Sequence, residues 1–417
     1  MQITLIAAGS RGDVQPYVAL GKGLHHAGHR VHVLTSTDFQ QLVADQGLVF
    51  FDMGGSAEAA LQARPDLLDN GNLLKNMAFL RQALQKLAYL TAEGGLKACR
   101  ESDLVIGGFA GLPVGVALAE KFGVPFIEAH ILPFTPTRAF PSALLPLPPA
   151  LTLKPLNRLT HQFARQMMWQ TFRPIDRDIR RNVLQIGPTP FWGPFGALDR
   201  QPHPVLYGYS PQILPFPEDW PARIHVTGFW FLDPASDWTP PSDLVDFLQS
   251  GPPPVYVGFG SMKGGNPGET TRLVVQALER AGQRGVLSSG WGGLARQDLP
   301  SSIYMLGAIP HSWLFPQMAA VVHHGGVGTT SAGLRAGVPS VIIPFFGDQP
   351  FWGRRIYESG VGPAPIPRQR LTMENLSQAI QSAVTDRQMQ DNAARIGQAI
   401  RAEDGVAEAV KIIEQIR

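Results

Sequence analysis

Short unbroken apolar runs alternate along this chain with segments of helical apolar spacing. Ile3 to Ala8 is apolar and ends in Gly9-Ser10-Arg11-Gly12, a buried strand entering a Gly-rich turn. Val18, Leu20 and Leu24 then recur at helical spacing across Pro16 to Ala27, and Gly28 closes that helix. Val31 to Leu34 is a second strand. Strand, helix and strand within about 35 residues form a βαβ unit, which predicts a parallel sheet and an α/β fold. Leu104 to Ile106 and Pro125 to Ile127 predict later strands, with a helix around Val114 to Phe122 between them.

The second half repeats the device. Val255 to Phe259 runs into Gly260-Ser261, and the helix Glu269 to Ala281 follows. Gly285 to Ser288, Ile303 to Leu306, Ala319 to Val322 and Pro339 to Ile343 continue as strands. Two Rossmann-like domains are expected. Val205 to Tyr207 is expected to complete the first sheet and Ile224 to Thr227 to begin the second, across a Pro-rich join from Gln201 to Pro241. The expected divisions are 1–216, 217–388, and a long helix from 389 to 417 that crosses back onto the first domain.

The length of 417 residues suits two or three domains, and the 44% apolar share is ample for their cores. Net charge is only +2, so there is no basic excess to support nucleic-acid binding. The single cysteine, Cys99, excludes an internal disulfide and Cys-rich zinc sites. No activating motif surrounds it. The first residues lack a basic stretch, and no run of eighteen apolar residues occurs. A soluble cytoplasmic protein is therefore expected.

The strongest chemical signal is His323-His324-Gly325-Gly326-Val327-Gly328-Thr329-Thr330, after a strand and before the helix Ser331 to Ala336. Such a turn leaves backbone N–H groups free at a helix N-terminus, where the dipole favours an anion. Thr329, Thr330 and a His add side-chain donors, which favours a diphosphate cradle over an ordinary turn. The run is neither a Walker A loop nor Gly-x-Gly-x-x-Gly, so ATP and NAD are not indicated. Adjacent strand residues point to opposite faces, which argues against zinc at the His pair. Gly260-Ser261-Met262-Lys263 is a second such turn. If both turns face one crevice, they bracket one nucleotide diphosphate.

Asp348 and Gln349, in Pro344-Phe345-Phe346-Gly347-Asp348-Gln349-Pro350, either grip vicinal hydroxyls or form a solvated turn. Asp13 either caps the first helix or acts as a general base at the mouth of the first sheet. Asp176-Arg177-Asp178 reads as a solvated helix face rather than a metal site. His25, His26, His29 and His32 surround a helix C-terminus, where they suit the dipole better than a metal.

At these motifs the sequence resembles the inverting family 1 glycosyltransferases of the GT-B fold, and among them the sterol 3β-glucosyltransferases and their bacterial relatives. Nearly the whole chain carries the resemblance. It includes the opening Gly-Ser-Arg-Gly-Asp-Val-Gln-Pro, the middle Met168-Trp169-Gln170-Thr171-Phe172-Arg173-Pro174 and Gly258-Phe259-Gly260-Ser261-Met262. Ile309-Pro310-His311-Ser312-Trp313-Leu314-Phe315, the His-His-Gly-Gly cradle and Pro-Phe-Phe-Gly-Asp-Gln-Pro-Phe-Trp complete it.

The resemblance implies two Rossmann-like domains facing across a crevice, the N-terminal one for the acceptor and the C-terminal one for a nucleotide sugar. It implies diphosphate contacts from Ser261, His324, Gly326, Gly328, Thr329 and Thr330, and sugar contacts from Asp348 and Gln349. It puts Asp13 where family members carry the catalytic base. Plant members carry a uracil-stacking Trp where Ala308 stands, so the nucleobase candidates are Trp291, Ile309, His311 and Trp313. Plant members also back a His base with an Asp after a later strand. Here that strand ends Gly107-Gly108-Phe109, which leaves Asp13 to work alone.

The expected reaction is transfer of glucose from UDP-glucose to the hydroxyl of a hydrophobic acceptor such as a sterol, with no metal or further cofactor. Alternatives are an antibiotic or polyketide aglycone, a hydroxy-fatty acid acceptor, or a non-catalytic nucleotide-sugar binding module. Ser10, Phe109, His130, Phe134 and Phe140 are the acceptor-side candidates. The stretch Ile131 to Leu156 holds seven prolines among apolar residues. It is expected as a stiff loop that either packs on its own domain, walls the acceptor pocket, or touches a membrane surface peripherally.

Overall fold

A computed structural model of the chain describes residues 1–55, 73–145, 154–234, 238–260, 267–288, 299–307 and 309–416, with the backbone alone over 73–84. Ser261, Trp291 and Ala308 lie outside the described residues, as does the stretch 146–153 of the proline-rich segment. The chain divides into two compact units. The first comprises 1–211, 215–232 and 404–417, and the second comprises 212–214 and 233–403.

The first unit holds a seven-stranded parallel sheet in the order β3-β2-β1-β4-β5-β6-β7. The strands are β1 (Gln2–Ile6), β2 (Arg30–Thr35), β3 (Val49–Asp52), β4 (Leu104–Gly107), β5 (Phe126–His130), β6 (Val205–Tyr207) and β7 (Ile224–Val226). The central strands are buried on both faces, as the unbroken apolar runs require. Among its helices are α1 (Arg11–His26), α2 (Leu73–Ala98), α3 (Leu112–Phe122) and α4 (Lys154–Ile179). Helix α1 begins at Arg11, ahead of the expected Pro16. Pro16 forfeits one intrahelical bond, to the carbonyl of Gly12, and the helix runs through it.

Four expectations are corrected in this unit. Strand β7 pairs with β6 and extends the first sheet, so the division falls after Leu232 and not near Phe216. The C-terminal segment is two helices rather than one. Its last, α8 (Gly405–Glu414), belongs to the first unit and packs on α1, where the Gly23 Cα leaves room for Val406. Asp176 is not solvated: it is buried, accepts from Arg180 Nε at 3.1 Å and Thr189 Oγ1 at 2.8 Å, and shares Arg180 with Glu120. The proline-rich segment is not loop to its end, because α4 already starts at Lys154 and takes in Pro155 near its first turn, where no N–H partner is lost. Cys99 is buried beside Thr4, and burial pushes its thiol up to about 12.

The second unit holds a five-stranded parallel sheet in the order β10-β9-β8-β11-β12. Its strands are β8 (Val255–Gly258), β9 (Gly285–Ser288), β10 (Ile303–Leu306), β11 (Ala320–His323) and β12 (Ser340–Ile342). Helix α5 (Val327–Ala336) follows β11, and α6 (Gln349–Glu358) follows β12. Helix α7 (Arg387–Arg401) also belongs here, where Gly397 lies against the Gly337 Cα at the end of α5. The long returning helix therefore breaks after Arg401, and only the part from Asp404 rejoins the first unit.

Candidate active site

In each sheet the strand order reverses at one place, between β1 and β4 in the first and between β8 and β11 in the second. Ligands of open parallel sheets bind at such switch points, at the carboxyl ends of the strands. Asp13 sits at one of them and His324 at the other.

Asp13 is in the first turn of α1. Its carboxylate accepts from the Ser10 N–H at 2.8 Å and from the Ser10 hydroxyl at 2.8 Å. It is thus the third helical residue reaching back to the cap residue, not the cap itself. Gly9 makes this possible. Its φ is +129°, and a Cβ there would lie 2.5 Å from Asp13 Oδ2. Desolvation raises the Asp13 carboxyl above the ordinary carboxylate range, against the opposing pull of the two Ser10 bonds. Tyr17, one turn on, is buried and donates to the Ala129 carbonyl at 2.5 Å. Its hydroxyl fills the space beside Gly108, where a Cβ would sit 1.8 Å from it. Tyr17 was missed from the sequence, although its spacing of four from Asp13 puts both on one helix face.

The acceptor-side candidates differ in exposure and partners. Ser10 spends its hydroxyl on Asp13. Phe109 is half-buried, with its ring edge-on to Phe134. Phe134 and Phe140 are both buried, the first against Phe195 and the Arg165 guanidinium, the second against His161 and Trp220. His130 is fully buried and pairs with Glu128 at 3.2 Å. These three side chains are core of the first unit, because the loop after β5 folds down on its own sheet.

In the second unit the cradle is assembled. Helix α5 has no side-chain cap, and Thr330 N–H is the first to bond within it, to Gly326. The earlier N–H groups of the first turn, Val327, Gly328 and Thr329, are those left for an anion. The His324 ring lies between the two Gly-rich turns. A Cβ on Gly260 would be 3.0 Å from its Cε1, and a Cβ on Gly326 would be 2.4 Å from its Nε2. Burial pushes His324 down to about 4, so the ring is neutral at pH 7. Its Nδ1 is buried without a hydrogen-bond partner among the described residues. His323 faces the other way, fully buried, and its Nδ1 accepts from Gly325 N–H. Thr330 departs from expectation: its hydroxyl is buried and donates back to the Gly326 carbonyl at 2.9 Å. Thr329 keeps partial exposure.

The loop after β12 lies against this cradle. Gly325, with φ +91°, approaches Gln349, whose carbonyl would be 3.1 Å from a Gly325 Cβ. Gln349 is buried and accepts from the N–H groups of Phe345 and Phe346 at 2.8 and 3.2 Å. Asp348 holds the N-cap position of α6 without a side-chain cap bond, and its carboxylate accepts from the indole of the fully buried Trp352 at 2.9 Å. Trp352 was also missed, although it too lies four residues on. Of the nucleobase candidates, His311 stacks on Phe315 with ring centres 4.3 Å apart, Trp313 packs on Trp238, and Ile309 is half-buried nearby. Among the described residues no group of three or more His, Cys, Asp or Glu could hold a metal ion, and no helix is long and apolar enough to cross a membrane.

Two parallel α/β units, each with a Gly-rich turn at its switch point, are the architecture of a GT-B glycosyltransferase. The calicheamicin glycosyltransferase has the same fold, with a TM-score of 0.71 at 18% identity, over 99% of this chain and 97% of that one. Residues 3–141 match the glycosyltransferase family 28 N-terminal domain, and 293–416 match the erythromycin biosynthesis protein CIII-like C-terminal domain. Two sterol 3-beta-glucosyltransferases of Arabidopsis thaliana are 38% and 36% identical over 99% and 98% of this chain, and 65% and 67% of their own length. One of Cryptococcus neoformans is 37% identical over 99% of this chain and 27% of its own length. The chain belongs to this glycosyltransferase family, and it spans about two thirds of the plant relatives it matches.

Proposed function

We propose that the protein transfers glucose from UDP-glucose to the 3-hydroxyl of a sterol, with inversion at the anomeric carbon. Asp13 carries the chemistry. It is a carboxylate at a sheet switch point, fixed by Ser10, and burial raises its proton affinity, the direction that strengthens a general base. It takes the proton of the acceptor hydroxyl as that oxygen bonds to the anomeric carbon. The bond from that carbon to the β-phosphate oxygen breaks, and its electrons leave with UDP. The first-turn N–H groups of α5 and the neutral His324 ring receive the developing diphosphate charge. A diphosphate oxygen would also give the buried His324 Nδ1 a partner. Asp348 and Gln349, stiffened by Trp352 and the Phe345–Phe346 backbone, would orient the sugar hydroxyls. No metal ion is required by this scheme. The sterol acceptor is supported by identity to sterol 3-beta-glucosyltransferases over nearly the whole chain.

An acceptor panel resolved by mass spectrometry tests this. UDP-glucose and dTDP-glucose would each be offered with a sterol, a polyketide aglycone and a hydroxy-fatty acid. A β-linked sterol glucoside from UDP-glucose is expected. Turnover of only the aglycone or the fatty acid would overturn the acceptor, and donor binding with no product from any acceptor would overturn the enzyme.

A further inference from the structure

Helix α4 has two apolar faces. One packs inward through Ala164, Trp169 and Ile175. The other, formed by Leu156, Leu159, Phe163 and Met167, lies in solvent, with Phe163 62% exposed. Spacings of three and four put these side chains in one stripe along the helix. Phe191 and Trp192 extend it, since Gln166 and Gln170 on the same side of α4 bond the Trp192 and Phe191 carbonyls at 2.8 and 3.1 Å. Trp192 is 69% exposed. These six are half of the twelve large apolar side chains exposed among the described residues. Scattered exposure of that kind is ordinary, but one contiguous patch marks an interaction surface.

Charge selects the occupant. From Ala129 to Ile175 the sequence has five basic residues and no acidic one. Beside the stripe, a cavity of about 470 Å³ is lined by Arg158, Gln162 and Gln166 of α4, together with Arg165, Arg223 and Trp192. Two acidic residues, Asp199 and Asp219, share that lining. Asp199 pairs with Arg165, and Asp219 accepts from the Thr137 hydroxyl and the Arg138 N–H. Arg165 is buried, yet its Nε has no partner there. We infer that this face docks on an anionic phospholipid bilayer. Leu159, Phe163, Met167 and Trp192 enter the acyl boundary, and a phosphate headgroup enters the arginine-lined cavity. None of these residues fixes Asp13 or belongs to the donor cradle, so the inference stands whatever the acceptor proves to be.

Co-sedimentation of the whole protein with vesicles of phosphatidylglycerol and phosphatidylcholine tests it. Binding is expected to rise with the phosphatidylglycerol fraction and to fall with salt. F163S/M167S should weaken it about tenfold or more, given the apolar area withdrawn from the bilayer. Arg158→Glu should weaken it severalfold while leaving the far-UV spectrum and melting temperature unchanged. Inorganic phosphate alone should compete only weakly, because it lacks the apolar part of the contact. Absence of vesicle binding by the parent protein would overturn the proposal, as would unchanged binding by F163S/M167S. A dimer in size-exclusion chromatography that F163S/M167S dissolves would assign the face to a second copy and overturn it equally.

Discussion

Ser10 gives both its backbone N–H and its hydroxyl to the Asp13 carboxylate, each at 2.8 Å. The pair fixes the carboxylate in position and holds its proton affinity down, while burial holds it up. Asp13→Asn should therefore cut turnover by about 10²-fold or more while sparing UDP-glucose affinity by calorimetry. Near-wild-type turnover at saturating acceptor would remove Asp13 from the base role. In Ser10→Ala the acid limb of the rate profile should move to higher pH, since a bond that favours the ionised form is lost. A limb that stays put or moves down would show that Ser10 does not tune it.

Gly9→Ala places a methyl 2.5 Å from Asp13 Oδ2 at a backbone φ of +129°. A loss of about 1–2 kcal/mol or more is expected from the backbone conformation alone. Turnover should fall with it, because the carboxylate must move. A Gly9→Ala protein with wild-type denaturation midpoint and rate would contradict the crowding.

The donor site separates into two parts. His324→Ala should weaken UDP and UDP-glucose alike, whereas Asp348→Ala should weaken only UDP-glucose. Calorimetry with both ligands on both variants distinguishes them, and equal losses in Asp348→Ala would exclude the sugar role. Activity should persist in EDTA.

Burial lowers His161 and His324 to about 4, and it also pushes His323 well below its ordinary value. In the unfolded chain these rings take up protons near pH 6.5, whereas in the folded protein they resist. Their contribution to stability is present above 6.5 and is lost as pH falls from there towards 4. Melting temperature should decline across that window, and less steeply in His324→Asn. A profile flat from pH 7 to 4.5 in the parent protein would refute the burial argument.

Arg180 bridges Glu120 and the buried Asp176. Arg180→Met should cost about 3–5 kcal/mol by leaving a buried carboxylate unpaired. The double variant Arg180→Met with Asp176→Leu should recover much of that loss in urea denaturation. No recovery would mean that Asp176 is not the stranded charge.

Much of the fold was legible because buried parallel strands have a local signature. Runs such as Ile3 to Ala8 and Val255 to Phe259 are apolar without alternation, and a Gly-rich turn ends each. The cradle at His323 to Thr330 was legible for the same reason, since a turn followed by a helix N-terminus is determined within a few residues. Asp13 and Asp348 stood out as carboxylates on such turns. The sequence alone did not decide between a capping Asp13 and a base. It also gave no sign of Val49–Asp52 as a strand, which is short and only partly covered.

What only the tertiary structure decided depends on partners distant in sequence. Ile224–Val226 joins the first sheet because its register against Val205–Tyr207 is a pairing between segments, not a property of either. Asp176 reads as solvated until Thr189 and Glu120 are brought to Arg180. Phe134 and Phe140 carry the same apolar character as Phe163, yet the first two are buried and the third is bare. Hydrophobicity states that a side chain gains by leaving water. Which surface takes it out of water is set by how the loop after β5 and helix α4 pack, and that is a property of the folded unit.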